Sequence, residues 1–246
     1  MTEKEFLKKY DSNRYEKPSV TTDILMITTD KNLDSLEILL IKRRGHPFQN
    51  CWAIPGGFVN MNESLLEGAN RELFEETHIK DVYLEQLYTF GDVGRDPRTR
   101  VITVAYLALL ENSKKRVAIA GDDAKEAVWF KILKGEKGYY LQDESTLNKV
   151  RFDELAFDHA KIIKMAIDRL KNKVEYTDIA FELLPKHFTL YQVQKVFELL
   201  LWKSVHKSNF RRIIVDRLVY DDKQITIRKD VRPAASYHLA KQKSKY

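Results

Sequence analysis

The 246-residue sequence contains one cysteine, Cys51. A single thiol excludes an intrachain disulfide and any cysteine-rich zinc centre, and its place before Trp52 in an apolar stretch reads as packing. No run approaches the eighteen or so apolar residues that a membrane-spanning helix needs. The opening stretch, MTEKEFLKKYDSNRYEKPSV, is too charged for a secretory signal, so a cytoplasmic location with no membrane partner is expected. Internal repeats and low-complexity tracts are also missing. The composition is 43% hydrophobic and 11% aromatic, which supplies a core for one large or two modest domains.

The net charge of +6 is unevenly spread. Residues 1–172 hold 27 Lys+Arg against 28 Asp+Glu, whereas residues 173–246 hold 15 against 8, so the whole excess sits in the last third. The segment Lys171-Asn172-Lys173 reads as the linker between the two parts. A basic C-terminal part next to a near-neutral remainder suggests a polyanion partner for that part alone.

Residues 57–79, GFVNMNESLLEGANRELFEETHI, carry the densest chemistry. On a helix of about 3.6 residues per turn, Glu72, Glu75 and Glu76 fall within an arc of roughly 100°. Three carboxylates on one face repel one another unless a cation lies between them, and oxygen ligands suit Mg²⁺ or Mn²⁺. The competing reading is a solvated acidic face. Ser64 and Glu67 have capping-box spacing and place the helix start, while Leu66, Ala69 and Leu73 form the arc that docks on a sheet.

Residues 18–28, 37–44, 82–90, 101–110 and 125–132 have the β-branched and apolar content of strands, and Gly56-Gly57 reads as the turn into the acidic helix. Residues 155–170 read as a helix with Ile162, Ile163, Ala166, Ile167 and Leu170 inward. The loop 91–100 presents Arg95, Arg98 and Arg100. These guanidinium groups suit a diphosphate ligand, or else they pair with Asp92 and Asp96 to fix the turn.

From Glu175 the pattern turns helical, with segments at 175–184, 189–203 and 207–218. Thr189 and Gln192 form a second capping-box pair. Leu190, Val193, Val196, Phe197, Leu200 and Leu201 make the apolar face of the second segment, and Phe210, Ile213, Ile214 and Leu218 that of the third. Two short strands follow, with Asp221-Asp222-Lys223 as the expected hairpin tip. Helix, turn, helix and hairpin make a winged helix-turn-helix, expected to bind double-stranded DNA through Lys207, Arg211 and Arg212 near the start of the recognition helix, with Ser208 or Asn209 at its cap. Arg228, Lys229 and Arg232 are placed on or after the wing. The same module also serves elsewhere as a protein-interaction domain.

The acidic segment resembles the Nudix box, GX5EX7REUXEEXGU with U apolar, at eight of nine specified positions: Gly57, Glu63, Arg71, Glu72, Leu73, Glu75, Glu76 and Ile79. The ninth, a glycine in the family, is His78 here. Residues 52–59, Trp129-Phe130 and Leu155-Ala156-Phe157-Asp158-His159 look like flanking landmarks of that family. The resemblance implies an α+β chain, with a Nudix α/β/α sandwich over residues 1–172 and a winged helix over 173–246. It further implies Glu72 and Glu76 as principal metal ligands, with Glu75 and the carbonyl of Gly56 beside them, and a salt bridge from Glu63 to Arg71.

With the C-terminal module the chain resembles the NrtR-type Nudix-related regulators. That implies a homodimeric transcriptional regulator sensing ADP-ribose or a related NAD or sugar metabolite. The alternative is a Mg²⁺-dependent hydrolase of ADP-ribose or a nucleoside diphosphate sugar, with Glu75 and Glu76 as catalytic carboxylates and Asp123 or Glu126 as candidates for the general base. At the ninth position, a helix end that favours positive φ must be taken by His78, at a cost on the order of 1 kcal/mol.

Overall fold

A computed structural model describes residues 1–80, 82–114, 124–136, 138–226 and 233–240. Its elements, in order, are α1 (Glu3–Lys9), β1 (Ser19–Thr29), β2 (Leu36–Arg43), β3 (Trp52–Ala53), β4 (Gly56–Phe58), α2 (Leu65–Thr77), β5 (Tyr83–Phe90) and β6 (Val101–Leu109). Then come β7 (Ala124–Gly135), β8 (Gly138–Asp143), β9 (Lys149–Arg151), α3 (His159–Lys173), α4 (Leu190–Leu201), α5 (Lys207–Ile214), β10 (Leu218–Ile225) and β11 (Ala234–Leu239).

The main sheet runs β5-β6-β1-β2-β7-β8-β9, with β3 added to β2 and β4 added to β1. Strands β1 and β6 are parallel and the other pairings are antiparallel, so the sheet is mixed. Alternation along the central strands sends successive side chains to opposite layers. Ile24, Met26, Leu39, Val104, Tyr106 and Trp129 pack with Ala69 and Leu73 of α2 on one face. On the other, Leu25, Ile27, Ile38, Leu40, Leu107 and Phe130 pack with Ile162, Ile163, Ala166, Ile167 and Leu170 of α3. This is the expected α/β/α sandwich.

The second apolar layer does not stop at residue 172. It continues through Val174, Ile179 and Phe181 into Val193, Val196, Phe197 and Leu200 of α4 and Phe210 and Ile214 of α5. Buried area of this kind is worth roughly 25 cal/mol per Å², so the two parts are held by a common core rather than by a linker alone.

Several local expectations are corrected. Gly56-Gly57 is no turn; both residues lie in β4, paired with Asp23 and Thr22 of β1. A Cβ on Gly56 would stand 2.2 Å from the Thr22 carbonyl oxygen, so here glycine marks a close approach of strands. Leu66 is exposed, and its neighbour Leu65 takes the inward place at the start of α2. The segment 175–184 forms only a short 3₁₀ turn, Ile179–Leu183. Helix α5 ends at Ile214 and its cap is His206, which leaves Ser208 and Asn209 within the first turn. Phe210 and Ile214 point inward, but Ile213 is 67% exposed. Residues Asp221-Asp222-Lys223 belong to a bulge within β10, and the wing is the longer pair β10–β11. Asp123, Arg228, Lys229 and Arg232 lie outside the described residues.

Candidate functional site

Helix α2 starts where its capping box demands. Ser64 accepts from the Glu67 backbone N–H, and the Glu67 carboxylate accepts from the Ser64 N–H at 2.7 Å. It stops at His78, which adopts φ 55° and ψ 22° and donates its backbone N–H to the Phe74 carbonyl at 2.7 Å. The residue in the glycine's place therefore takes the left-handed cap conformation, and its ring lies 5.3 Å from that of Phe74. The last turn, with Glu75 and Glu76, is a regular helical turn.

Along α2, Glu72 and Glu76 are buried, while the Glu75 side chain is 55% exposed. Arg71 gathers the acidic groups. Its guanidinium donates to Glu63 at 2.8 and 3.1 Å, to Glu72 at 2.7 Å, to Glu75 at 3.2 Å and to the Phe58 carbonyl at 3.1 Å. The Arg71 bond, with help from the Asn60 backbone and side chain, pulls the Glu63 carboxyl down to about 2. Burial pushes the Glu72 carboxyl up, against the pull of Arg71. A carboxylate raised by desolvation gains most from an added cation.

A Cβ on Gly57 would stand 2.1 Å from Glu72 Oε1, so the Glu72 carboxylate occupies the space that the missing side chain leaves. With the Gly56 carbonyl in the same strand, the donors here are all oxygens. Such a set fits a hard divalent ion.

Beside this helix opens a cleft lined among others by Asp23, Arg43, Ile54, Gly56, Gly57, Phe58, Arg95, Arg98 and His159. Arg95 is almost fully enclosed and donates to both carboxylate oxygens of Asp158, at 2.6 and 3.1 Å, and to Asp23 at 3.4 Å. Arg98 grips Asp96 at 2.7 and 3.0 Å, and Arg100 donates to the Asp92 carbonyl at 3.1 Å. Arg95 and Arg98 face the cleft, whereas Arg100 is not among its lining residues. Glu126 is likewise outside the lining; it pairs with Lys42 at 3.2 Å across β2 and β7.

The sequence reading gave His159 no role. It is buried, accepts the Ile54 N–H on Nδ1 at 2.8 Å and holds Nε2 3.9 Å from Asp23. Burial, which strips a charged ring of its hydration, lowers its pKa. His159 is also the first residue of α3, the helix that packs against α4.

In the C-terminal module, Thr189 and Gln192 close the capping box that starts α4. Lys207, Arg211 and Arg212 are exposed on α5, while Phe210 and Ile214 of the same helix are buried.

Comparison with known proteins places both parts. The NUDIX domain family matches residues 17–147, and the NrtR DNA-binding winged helix domain matches residues 180–239. The chain belongs to the Nudix family, in its NrtR branch. It is 33% identical to the ADPR responsive transcriptional repressor NtrR of Acinetobacter baylyi over 98% of this chain and 90% of that protein. An ADP-ribose pyrophosphatase of Methanocaldococcus jannaschii is 36% identical over 65% of this chain and 82% of its own length. Among solved structures, Shewanella oneidensis NrtR complexed with a 27mer DNA superposes with a TM-score of 0.70 at 31% identity, covering 90% of this chain and 93% of that one.

Nudix hydrolases use divalent metal ions, which agrees with the oxygen-only donor set on α2. Two cleft residues of this NrtR-type chain, Asp23 and His159, and Asp158, which holds Arg95, had no role assigned from the sequence. Asp158 and His159 lie in the Leu155–His159 landmark, and Asp23 lies in a strand otherwise filled by apolar and hydroxyl-bearing residues. An acidic residue in such a strand was the available signal, since a buried charge requires a partner. Among the described residues, no helix is long and apolar enough to cross a membrane.

Proposed function

We propose that this chain is a ligand-controlled transcription regulator, with residues 1–172 as the sensor and residues 173–246 as the reader of double-stranded DNA. The cleft takes ADP-ribose or a related NAD or sugar metabolite, and the protein acts as a homodimer in the cytoplasm. The observation that carries this reading is His159, which lines the cleft and begins α3, the helix that packs on α4 of the winged helix. A ligand that shifts His159 or Ile54 thus pushes on a core shared with the DNA-reading helices.

Glu72, Glu76, Glu75 and the Gly56 carbonyl would hold Mg²⁺ or Mn²⁺, and the ion supplies positive charge against a diphosphate. Arg71 orients the carboxylates without touching ligand. Arg98 lies at the cleft wall with its side chain 44% exposed, so it can turn from Asp96 to a phosphate, whereas Arg95 is already saturated by Asp158 and Asp23. On the DNA side, Lys207 holds phosphate while Arg211 and Arg212 address base edges, with Arg228 and Lys229 expected on the wing. In a dimer, half-sites one turn apart are about 34 Å apart, so a small rotation of the two readers is enough to weaken binding.

The test is a gel-shift assay on upstream DNA from the source genome, with and without ADP-ribose. A salt-sensitive, sequence-preferring complex that responds to ADP-ribose supports the reading, and Arg211→Ala weakens it. Absence of any such complex rules it out.

One observation favours a second activity. His78 takes the left-handed cap conformation, so the turn that carries Glu75 and Glu76 stays helical. Slow Mg²⁺-dependent cleavage of ADP-ribose, abolished by Glu76→Gln, is the expected sign. Turnover unaltered by that substitution would show that Glu76 is no ligand.

A further inference from the structure

Outside the cleft, three segments bring metal-binding side chains to one point. His187 comes from the loop before α4, Asp221 from the bulge of β10 and His238 from β11. Asp221 Oδ2 receives His187 Nδ1 at 2.9 Å and the Ser236 hydroxyl at 2.7 Å, and its Oδ1 contacts His238 Nδ1. One ligand atom from each of the three lies within 4.8 Å of the others. The fold creates this convergence. The bulge between Tyr220 and Gln224 breaks the ladder at Asp221, and Asp222 takes φ 52° to allow it. Ser236 and His238 are two apart on β11 and so share a face. A backbone bridge of Phe188 to Tyr237, at 2.8 and 2.9 Å, pins the residue after His187 to the strand that carries His238.

The Asp221 side chain is 7% exposed, with two imidazoles aimed at its carboxylate and the Ser236 hydroxyl behind it. Imidazole nitrogen is a borderline ligand that suits late first-row divalent ions far better than Mg²⁺. The all-oxygen set on α2 has the opposite preference.

We propose that His187, Asp221 and His238 form a site for a late first-row divalent cation, Zn²⁺ in the first instance. Two imidazole nitrogens and one carboxylate leave a fourth position open to water. Ser236 acts behind Asp221, fixing the carboxylate as outer partners of metal ligands do. A cation there ties the wing to the loop that starts α4, next to the backbone bridge of Phe188 to Tyr237. The proposal does not depend on what the cleft binds.

The experiment uses the untagged full chain carrying Glu72→Gln and Glu76→Gln, so that α2 holds no metal, after chelator treatment and dialysis. Titration calorimetry with Zn²⁺ is expected to give one ion per chain, and Co²⁺ is expected to give visible absorption bands. His187→Ala and His238→Ala should each weaken Zn²⁺ binding at least tenfold and remove the Co²⁺ bands, while His46→Ala leaves both unchanged. Circular dichroism checks folding. His187 is half exposed on a loop, so its variant decides the matter if His238→Ala does not fold. No Zn²⁺ uptake by the parent chain, or uptake undiminished by His187→Ala, overturns the site.

Discussion

Gly56 and Gly57 are adjacent in β4, yet adding one methyl to each should have opposite consequences. On Gly57 the new Cβ would meet only the far end of Glu72, at 2.1 Å from Oε1, 2.6 Å from Cδ and 2.8 Å from Oε2. A side-chain end can swing aside, and it must retreat by about 1 Å to reach tolerable contact. The move costs little stability but displaces a ligand that Arg71 holds at 2.7 Å. On Gly56 the Cβ would meet the Thr22 carbonyl oxygen at 2.2 Å and Asp23 Cα at 2.9 Å. Backbone in the middle of a sheet cannot retreat, so β4 must part from β1. The expected cost is about 2 kcal/mol or more, which lowers Tm by roughly 4–8 °C in a chain of this size.

Gly57→Ala should therefore melt within about 1 kcal/mol of the parent while binding Mn²⁺ roughly 10- to 100-fold more weakly, as when a metal ligand loses its orientation. Gly56→Ala should lose stability first and foremost. Differential scanning calorimetry and Mn²⁺ titration calorimetry on both variants separate the effects. Full Mn²⁺ affinity in Gly57→Ala, or a parental Tm in Gly56→Ala, would refute the reasoning about which neighbour can move.

Three further outcomes are expected. Arg95→Ala leaves Asp158 and Asp23 enclosed without their shared cation and should cost about 3–5 kcal/mol in urea unfolding; lost ADP-ribose affinity at unchanged stability would instead make Arg95 a ligand contact. His159 has a depressed pKa in the fold, so its contribution is complete above the ordinary value of 6.5 and declines as pH falls below it, where the unfolded chain takes up a proton. His159→Asn, which keeps an acceptor for the Ile54 N–H, should flatten that slope of stability against pH; an unchanged slope would assign it to another group. Arg211→Ala and Arg212→Ala should each weaken DNA binding, and Lys207→Ala should lower the steepness of the salt dependence by about one unit if it contacts a phosphate.

Local pattern made α2 and α4 legible in the sequence. Ser64 with Glu67 and Thr189 with Gln192 start the helices where their spacing says, and the glutamates of α2 share a face because helical periodicity allows nothing else. The charge excess in the last third and the helix-turn-helix pattern needed only short-range information too. Tertiary structure decided the rest through contacts between residues far apart in the chain. It set Gly56 and Gly57 into a strand because β1 and Glu72 leave no room for a side chain there. Arg95 was drawn into the interior by Asp23 and Asp158, some seventy residues before it and sixty after, and Ile213 was left in solvent when α5 turned only Phe210 and Ile214 to the core. His159 entered the cleft, and His187, Asp221 and His238 met, because sheet pairing and helix docking placed them there. Periodicity reads along one element, and none of these meetings happens within one element.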